Sequence, residues 1–214
     1  MRPRLPEFLP PSPLGLEQDM LGLAYTLDAL LSPLPGKFIQ FLGSRPGEGT
    51  TTLTREFARV AATRLGKSVL LFDADRHQPA PDTPAGHETR EVERLLEGEL
   101  LLEQPCGPLT EPRFVYCPIA FASVSALLSA AHVGGYLEKL RQHFDLILID
   151  SPAVTEWPES LAFARLVDGV VLVVEAEKTS GKMAKSVKDR VIKAGGSILG
   201  VIFNKQRRYP LSSL

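Results

Sequence analysis

A glycine-rich run at residues 44–52, Ser-Arg-Pro-Gly-Glu-Gly-Thr-Thr-Thr, has the spacing of a phosphate-binding loop (P-loop). Such a loop needs small residues, so that consecutive backbone N–H groups can surround a phosphate, a lysine that reaches the outer phosphates, and a hydroxyl for Mg²⁺. Gly47, Gly49 and Thr51 meet these needs, but Thr50 stands where the lysine is expected. The pattern therefore predicts that anion binding is retained and that phosphoryl transfer is weakened.

The residues around the loop predict a strand before it and a helix after it. Residues 37–43 form a short apolar run, and apolar residues recur at helical spacing from 53 to 65. A helix that begins at Thr50 or Thr51 would direct its N–H groups and the positive end of its dipole at an anion. For an isolated loop without its lysine, the alternative is a glycine-rich turn that binds nothing.

Aspartates follow two further apolar runs. Asp73 and Asp75 end the first run, and Asp150 ends the second. The carboxyl ends of parallel strands share one edge of an α/β sheet, where ligands bind, so we expect the three carboxylates to converge near Thr51. For each aspartate taken alone, the alternative is a cap for the helix that follows.

In their order, these motifs resemble the Walker A, A′ and B motifs of the bacterial tyrosine kinases, which belong to the MinD/ParA class of P-loop ATPases. In this family the kinases are cytoplasmic partners of membrane proteins that regulate polysaccharide chain length in capsule and exopolysaccharide synthesis. The resemblance extends over roughly residues 17–205. It is carried by residues 46–49, 69–75 with Pro79, 144–152, 169–174 and 199–204.

The resemblance implies that ATP or ADP binds with Mg²⁺, although Thr50 would weaken this binding. The implied nucleotide-binding residues of the loop are Arg45, Pro46, Gly47, Glu48, Gly49, Thr50, Thr51 and Thr52. Thr51 would bind the metal directly and Asp150 would contact it through water. Asp73 and Asp75 would hold metal-bound water or act as the catalytic base. Asn204 would lie near the adenine; alternatively it merely ends a strand, because asparagine favours turns.

The chain also departs from the family pattern. Thr50 removes a cation that stabilises the transition state of phosphoryl transfer. The tyrosine-rich tail that is autophosphorylated in the family has no counterpart except Tyr209, and the oligomerisation pattern of one glutamate and two arginines is missing after Glu17. Arg45 occupies the place of the signature lysine of MinD/ParA proteins and could restore the lost charge. The alternative for Arg45 is a solvated loop residue.

Length and composition suit one α/β domain, and the alternation of strands and helices predicts a mainly parallel central sheet. The resemblance implies that this domain is a P-loop NTPase-like three-layer sandwich. A chain of 214 residues with 44% hydrophobic content suits one substantial core. We expect this domain at residues 16–205, between a flexible proline-rich arm at 1–15 and a short tail at 206–214. Helix-forming residues at 91–104 and 118–132 predict two helices between the aspartate motifs.

Charge and cysteine content limit the partners and the compartment. A net charge of −1 gives no electrostatic reason to expect nucleic acid as a partner. Cys106 and Cys117 have neither metal-ligand nor disulfide spacing, which favours a reducing cytoplasm. Because no apolar run reaches the roughly 18 residues of a membrane span, we expect any association with the inner membrane to be peripheral and through a partner.

These observations favour a degenerate kinase-like protein that regulates a membrane complex for polysaccharide polymerisation or export, with weak or no ATP turnover. The expected partner is a membrane chain-length regulator or another polysaccharide synthesis or export protein, and a homo-oligomer remains open. One alternative is an active ATPase or tyrosine autokinase that uses Arg45 and the hydroxyls of Thr50 and Thr51 in place of the lysine. Another is a MinD/ParA-like positioning ATPase.

Overall fold

The computed structural model of the protein describes residues 15–74, 114–118 and 133–207. Strands and helices alternate along most of the chain, as the sequence predicts. In chain order the elements are α1 (Glu17–Leu30), β1 (Lys37–Gly43), α2 (Thr50–Arg64), β2 (Val69–Asp73), β3 (Phe114–Pro118), α3 (Val133–His143), β4 (Leu146–Ser151), a 3₁₀ helix (Pro158–Arg165), β5 (Gly169–Glu175), α4 (Gly181–Lys193) and β6 (Ile198–Asn204).

Several sequence predictions fall on other parts of the chain. Asp75, Pro79, Cys106 and Tyr209, the helix predicted at 91–104, and most of the arm and tail lie outside the described residues. The helix predicted at 118–132 also lies outside them, except for Pro118, which ends β3. The sequence did not predict β3, because its apolar run of four residues between two prolines is too short for a periodicity to register.

The six described strands form one sheet in the order β3-β2-β4-β1-β5-β6. Every pairing between them is parallel. In the centre of the sheet, Phe41 of β1 pairs with Asp150 of β4 on one side and with Val171 of β5 on the other. The mainly parallel sheet predicted from the sequence is therefore confirmed, and the carboxyl ends of all six strands lie along one edge.

Helices cover both faces of the sheet. On one face, α1 and α2 pack against β1, β2 and β4, and the Phe57 ring of α2 lies 5.5 Å from the Phe41 ring of β1. On the other face, Val187 and Val191 of α4 join a cluster with Leu172 of β5 and residues of the 3₁₀ helix. The central strands are thus buried on both sides, which explains their uninterrupted apolar runs. The architecture is the three-layer α/β sandwich expected from the sequence.

An ion pair fastens α3 to the amino-terminal ends of two central strands. The guanidinium of Arg141 donates two hydrogen bonds to Asp168, at 2.7 and 2.8 Å, and a third to the Gly36 carbonyl at 2.6 Å. Asp168 also accepts a hydrogen bond of 2.7 Å from the backbone N–H of Phe38, whose ring lies 6.0 Å below the guanidinium. Both charged side chains are mostly buried, so each compensates part of the cost of removing the other from water.

No helix in the described parts of the chain combines the length and the apolar character needed to cross a membrane.

We predict that Arg141→Ala lowers the free energy of unfolding by about 3 kcal/mol, because it leaves Asp168 charged and largely buried. As the control, Arg64→Ala removes an exposed arginine that pairs with Glu17, and it should cost less than about 1 kcal/mol. Urea unfolding with an unchanged m-value measures both. Equal losses in the two variants would contradict this account of the Arg141–Asp168 pair.

Candidate functional site

The glycine-rich run forms a tight loop between β1 and α2. Gly47 and Gly49 have φ values of 79° and 90°, in the left-handed region that side chains disfavour. Helix α2 begins at Thr50, and its N-cap residue is Gly49, which has no side chain to occupy the N–H groups of the first turn. The predicted helix start is confirmed, and its backbone geometry suits an anion.

The Glu48 carboxylate holds this loop from within. It is buried, and it accepts hydrogen bonds from the Ser44 N–H at 2.6 Å, the Ser44 hydroxyl at 2.7 Å and the Arg45 N–H at 2.9 Å. It also accepts one from the Thr179 hydroxyl, which follows β5. Glu48 therefore fixes the first half of the loop and ties it to a neighbouring strand end, so its own part in the predicted nucleotide site is to shape the backbone.

Two residues at the end of β6 hold the same loop from outside. The Asn204 side-chain amide donates to the Glu48 carbonyl at 2.8 Å, and the Lys205 ammonium donates to the Gly47 carbonyl at 2.5 Å. A hydrogen bond of 2.9 Å from the Lys205 N–H to the Asn204 side chain accompanies the left-handed backbone of Lys205, with φ of 57°. We call this pair the Asn204–Lys205 clamp. Asn204 thus lies at the loop, while its predicted contact with adenine stays a prediction.

The clamp packs closely and carries charge. A Cβ atom on Gly49 would lie 2.3 Å from the Asn204 amide nitrogen, so this glycine is required by space as well as by φ. Lys205 also lies 3.4 Å from a carboxylate oxygen of Glu175. The pKa of Glu175 is held below its usual value, chiefly by the hydrogen bond from Lys178 and further by Lys205, while burial acts in the opposite direction. Glu175 therefore keeps a negative charge beside the clamp.

The predicted aspartates lie side by side at the carboxyl edge of the sheet. Asp73 of β2 is in register with Asp150 of β4, which is in register with Phe41, three residues before the loop begins. Asp150 is fully buried, and its carbonyl accepts a hydrogen bond of 2.9 Å from the N–H of Ala74. The structure thus brings Asp73 and Asp150 to the strand ends next to the loop.

Arg55 provides a positive charge at these aspartates. Its guanidinium donates to an Asp73 carboxylate oxygen at 2.7 Å, and only 6% of the Asp73 side chain is exposed. Arg55 lies one helical turn after Thr51 on α2. The sequence analysis missed both Arg55 and Lys205. The i, i+4 spacing from Thr51 could have indicated Arg55, because residues four apart share one face of a helix.

The other predicted loop residues differ in exposure. Arg45, Pro46 and Thr52 are exposed, whereas Thr50 and Thr51 are partly buried. The Thr50 hydroxyl packs against the end of β1, since a Cβ atom on Gly43 would lie 2.6 Å from it. The side chain that replaces the lysine is thus turned to the strand end at the base of the loop.

The oxygen donors fit Mg²⁺ in type. A threonine hydroxyl at the start of α2 and the buried carboxylate of Asp150 are ligands that this hard cation accepts, and Asp73 could contact a metal-bound water. Asp73 is, however, already bonded to Arg55. No group of three or more histidine, cysteine or carboxylate side chains within the described residues could enclose a metal by itself. A metal here would therefore need oxygen ligands from phosphate and water.

No protein-family model matches the chain. Among curated proteins, it is 30% identical over 188 residues to the succinoglycan biosynthesis transport protein ExoP of Rhizobium meliloti, an alignment that covers 83% of this chain and 23% of ExoP. It is 27% identical over 173 residues to the tyrosine-protein kinase CpsD of Streptococcus agalactiae, which covers 79% of this chain and 75% of CpsD. The chain thus matches less than a quarter of the length of ExoP and most of CpsD.

Two solved structures share the fold. The kinase domain of the Escherichia coli tyrosine kinase ETK superposes with a TM-score of 0.68 at 19% identity, over 92% of this chain and 79% of that one. The septum site-determining protein MinD of Pyrococcus horikoshii, complexed with Mg-ADP, gives a TM-score of 0.50 at 21% identity, over 78% and 70%. At these identities the structural likeness establishes the fold alone. The sequence relatives, together with the Walker-like order of the motifs, show that the chain belongs to the bacterial tyrosine-kinase family of exopolysaccharide and capsule biosynthesis, within the MinD/ParA class of P-loop ATPases.

Proposed function

We propose that this chain is a nucleotide-binding regulator built on a tyrosine-kinase fold, with weak or no ATP turnover. One observation carries the proposal: the loop keeps the backbone of a phosphate-binding loop while Thr50 replaces its lysine. Binding by backbone N–H groups and catalysis by a side-chain cation are separable functions of such a loop. This chain retains the first and lacks the usual means for the second.

The proposed nucleotide lies with its phosphates at the start of α2. Gly47 and Gly49 have the left-handed backbone of a tight loop there, and backbone N–H groups at the amino-terminal end of α2 would donate to the phosphates. Mg²⁺, which would neutralise phosphate charge when bound, would be held by Thr51, with Asp150 and Asp73 as contacts through water. The adenine would lie near the Asn204–Lys205 clamp.

Weak turnover follows from the charges near the transferred phosphate. Thr50 is neutral, so the position that usually carries the lysine supplies no cation to the developing charge of the transition state. Asp73 is one of the two predicted catalytic aspartates, with Asp75. Its bond to Arg55 restricts its approach to a substrate hydroxyl. The exposed Arg45 is the cation on which the rival proposal of an active ATPase or autokinase depends.

We propose further that the chain acts in the cytoplasm on a membrane protein that regulates polysaccharide chain length, or on another component of polysaccharide synthesis or export. The family membership of the chain supports this partner class. A homo-oligomer remains open; at the start of α1, Glu17 is bonded to Arg64 and lies near Arg59 of the same chain. Attachment to the inner membrane would be peripheral, through the partner.

Nucleotide binding is tested by titration calorimetry with ADP and with ATP, each with Mg²⁺. We predict a dissociation constant of about 10–100 μM for the unaltered protein, and at least about tenfold weaker binding for Asp150→Asn. Glu159→Gln, the same chemical change at an exposed position on the 3₁₀ helix, should leave the affinity unchanged. No heat of binding at millimolar nucleotide would contradict the proposed nucleotide site.

Turnover is tested by restoring the lysine. We predict that Thr50→Lys raises the rate of ATP hydrolysis by roughly a hundredfold, because it returns a cation to the transition state. Thr26→Lys, which adds the same side chain on exposed α1, is the matched control and should have no effect. A steady-state phosphate-release assay measures all three proteins. If the unaltered protein already turned over at the rate of a typical enzyme, about 10 per second, the proposal of weak turnover would be wrong.

A further inference from the structure

The Arg55–Asp73 ion pair lies where the site needs a positive charge. The guanidinium of Arg55 is 2.7 Å from the carboxylate of Asp73 at the carboxyl end of β2, beside the fully buried Asp150. About 38% of the Arg55 side chain is exposed, against 6% of Asp73. The arginine therefore reaches from a solvent-facing position on α2 into the edge of the sheet where ligands of this fold bind.

Helix geometry directs Arg55 at the phosphate loop. Side chains on an α-helix lean toward its amino terminus and cover the turn before their own Cα atom. For Arg55, that turn contains Thr51, at the start of α2. The observed bond to Asp73, on the strand end beside Asp150, agrees with this direction. The guanidinium is thus held at Asp73, and the direction of helical side chains predicts that it also faces the first turn of α2.

Two other cations that the described residues bring near the loop, Arg45 and Lys205, are less well placed. Arg45 is exposed, and its backbone N–H is bonded to Glu48 at the start of the loop, away from α2. The ammonium of Lys205 is engaged by the Gly47 carbonyl and lies close to Glu175 at the end of β5. Neither contact brings a charge to the first turn of α2.

We propose that Arg55 supplies the positive charge that binds phosphate at this site, in place of the P-loop lysine, and that Asp73 holds it in position. The inference rests on the proposed nucleotide binding and names the side chain that carries it. A guanidinium presents five N–H donors in a planar fork, so it can donate to a carboxylate and to a phosphate at once. It stays protonated at every physiological pH.

A purely structural ion pair makes different predictions. If Arg55 served only to neutralise Asp73, removing it would lower stability and leave phosphate affinity unchanged. If Arg55 binds phosphate, the negative charge of Asp73 repels the ligand, whereas an amide in its place still accepts the hydrogen bond that positions the guanidinium. Neutralising Asp73 should therefore strengthen anion binding, although it removes half of an ion pair.

The experiment measures the affinity of the full chain for ADP and for inorganic pyrophosphate in EDTA, so that no metal supplies charge. We expect Arg55→Ala to weaken both by roughly tenfold to a hundredfold, the usual effect of losing a charged hydrogen bond. Arg55→Lys should recover most of the affinity, and Asp73→Asn should bind both ligands at least about twofold more tightly. Arg64→Ala, which removes an exposed arginine from the last turn of α2, is the control and should bind normally.

The outcomes separate this inference from the proposed function. Normal binding by the unaltered protein and by Arg55→Ala, with a lower melting temperature for the variant, would assign Arg55 a structural role and overturn the inference alone. If Arg55→Ala does not fold, Asp73→Asn decides, because unchanged or weaker binding by that variant overturns the inference. If the unaltered protein binds neither ADP, with or without Mg²⁺, nor pyrophosphate, the proposed nucleotide site fails and Arg55 has no phosphate to bind.

Discussion

The buried carboxylate of Glu48 is the interaction on which the site depends. It accepts hydrogen bonds from two backbone N–H groups and a hydroxyl at the start of the loop, and from the hydroxyl of Thr179, which follows β5. A buried carboxylate without such donors would be costly, so the Glu48 hydrogen bonds favour keeping the loop and the end of β5 together. The loop shape therefore comes from an internal anion and two left-handed glycines, and none of these requires a lysine at position 50.

The same reasoning explains how the fold tolerates a concentration of negative charge at one edge. Glu48, Asp73 and Asp150 all lie there with little or no exposure. Glu48 accepts hydrogen bonds from its own loop and from Thr179, and Asp73 accepts one from Arg55 of α2. The clamp adds the Lys205 ammonium at the Gly47 carbonyl. The positive charge of the site has thus been distributed over α2 and the end of β6, outside the loop itself.

Much of this arrangement could be predicted from the sequence because it depends on local pattern. Apolar runs indicate buried parallel strands, and the aspartates at the ends of β2 and β4 had to meet once those strands were neighbours. Arg55 and Lys205 escaped prediction for the opposite reason, since a charged residue on a helix or after a strand looks like any solvated residue until its partner is known. The position of Arg45 in the motif made it the candidate replacement for the lysine, yet its side chain is exposed.

In this loop, the backbone shape and the side-chain charge do not depend on the same residues. A kinase-like fold could therefore bind a ligand without catalysing its turnover. Substituting the lysine removes a group that acts mainly on the transition state, whereas backbone N–H groups act on the ground state as well. The Glu48 hydrogen bonds and the clamp would preserve those N–H groups under selection for binding alone. A cation held by an aspartate, as Arg55 is, suits the same end: it is fixed before the ligand arrives, so its ordering costs little when the ligand binds. Under the proposed function, such a site would report nucleotide occupancy to a partner without consuming the nucleotide.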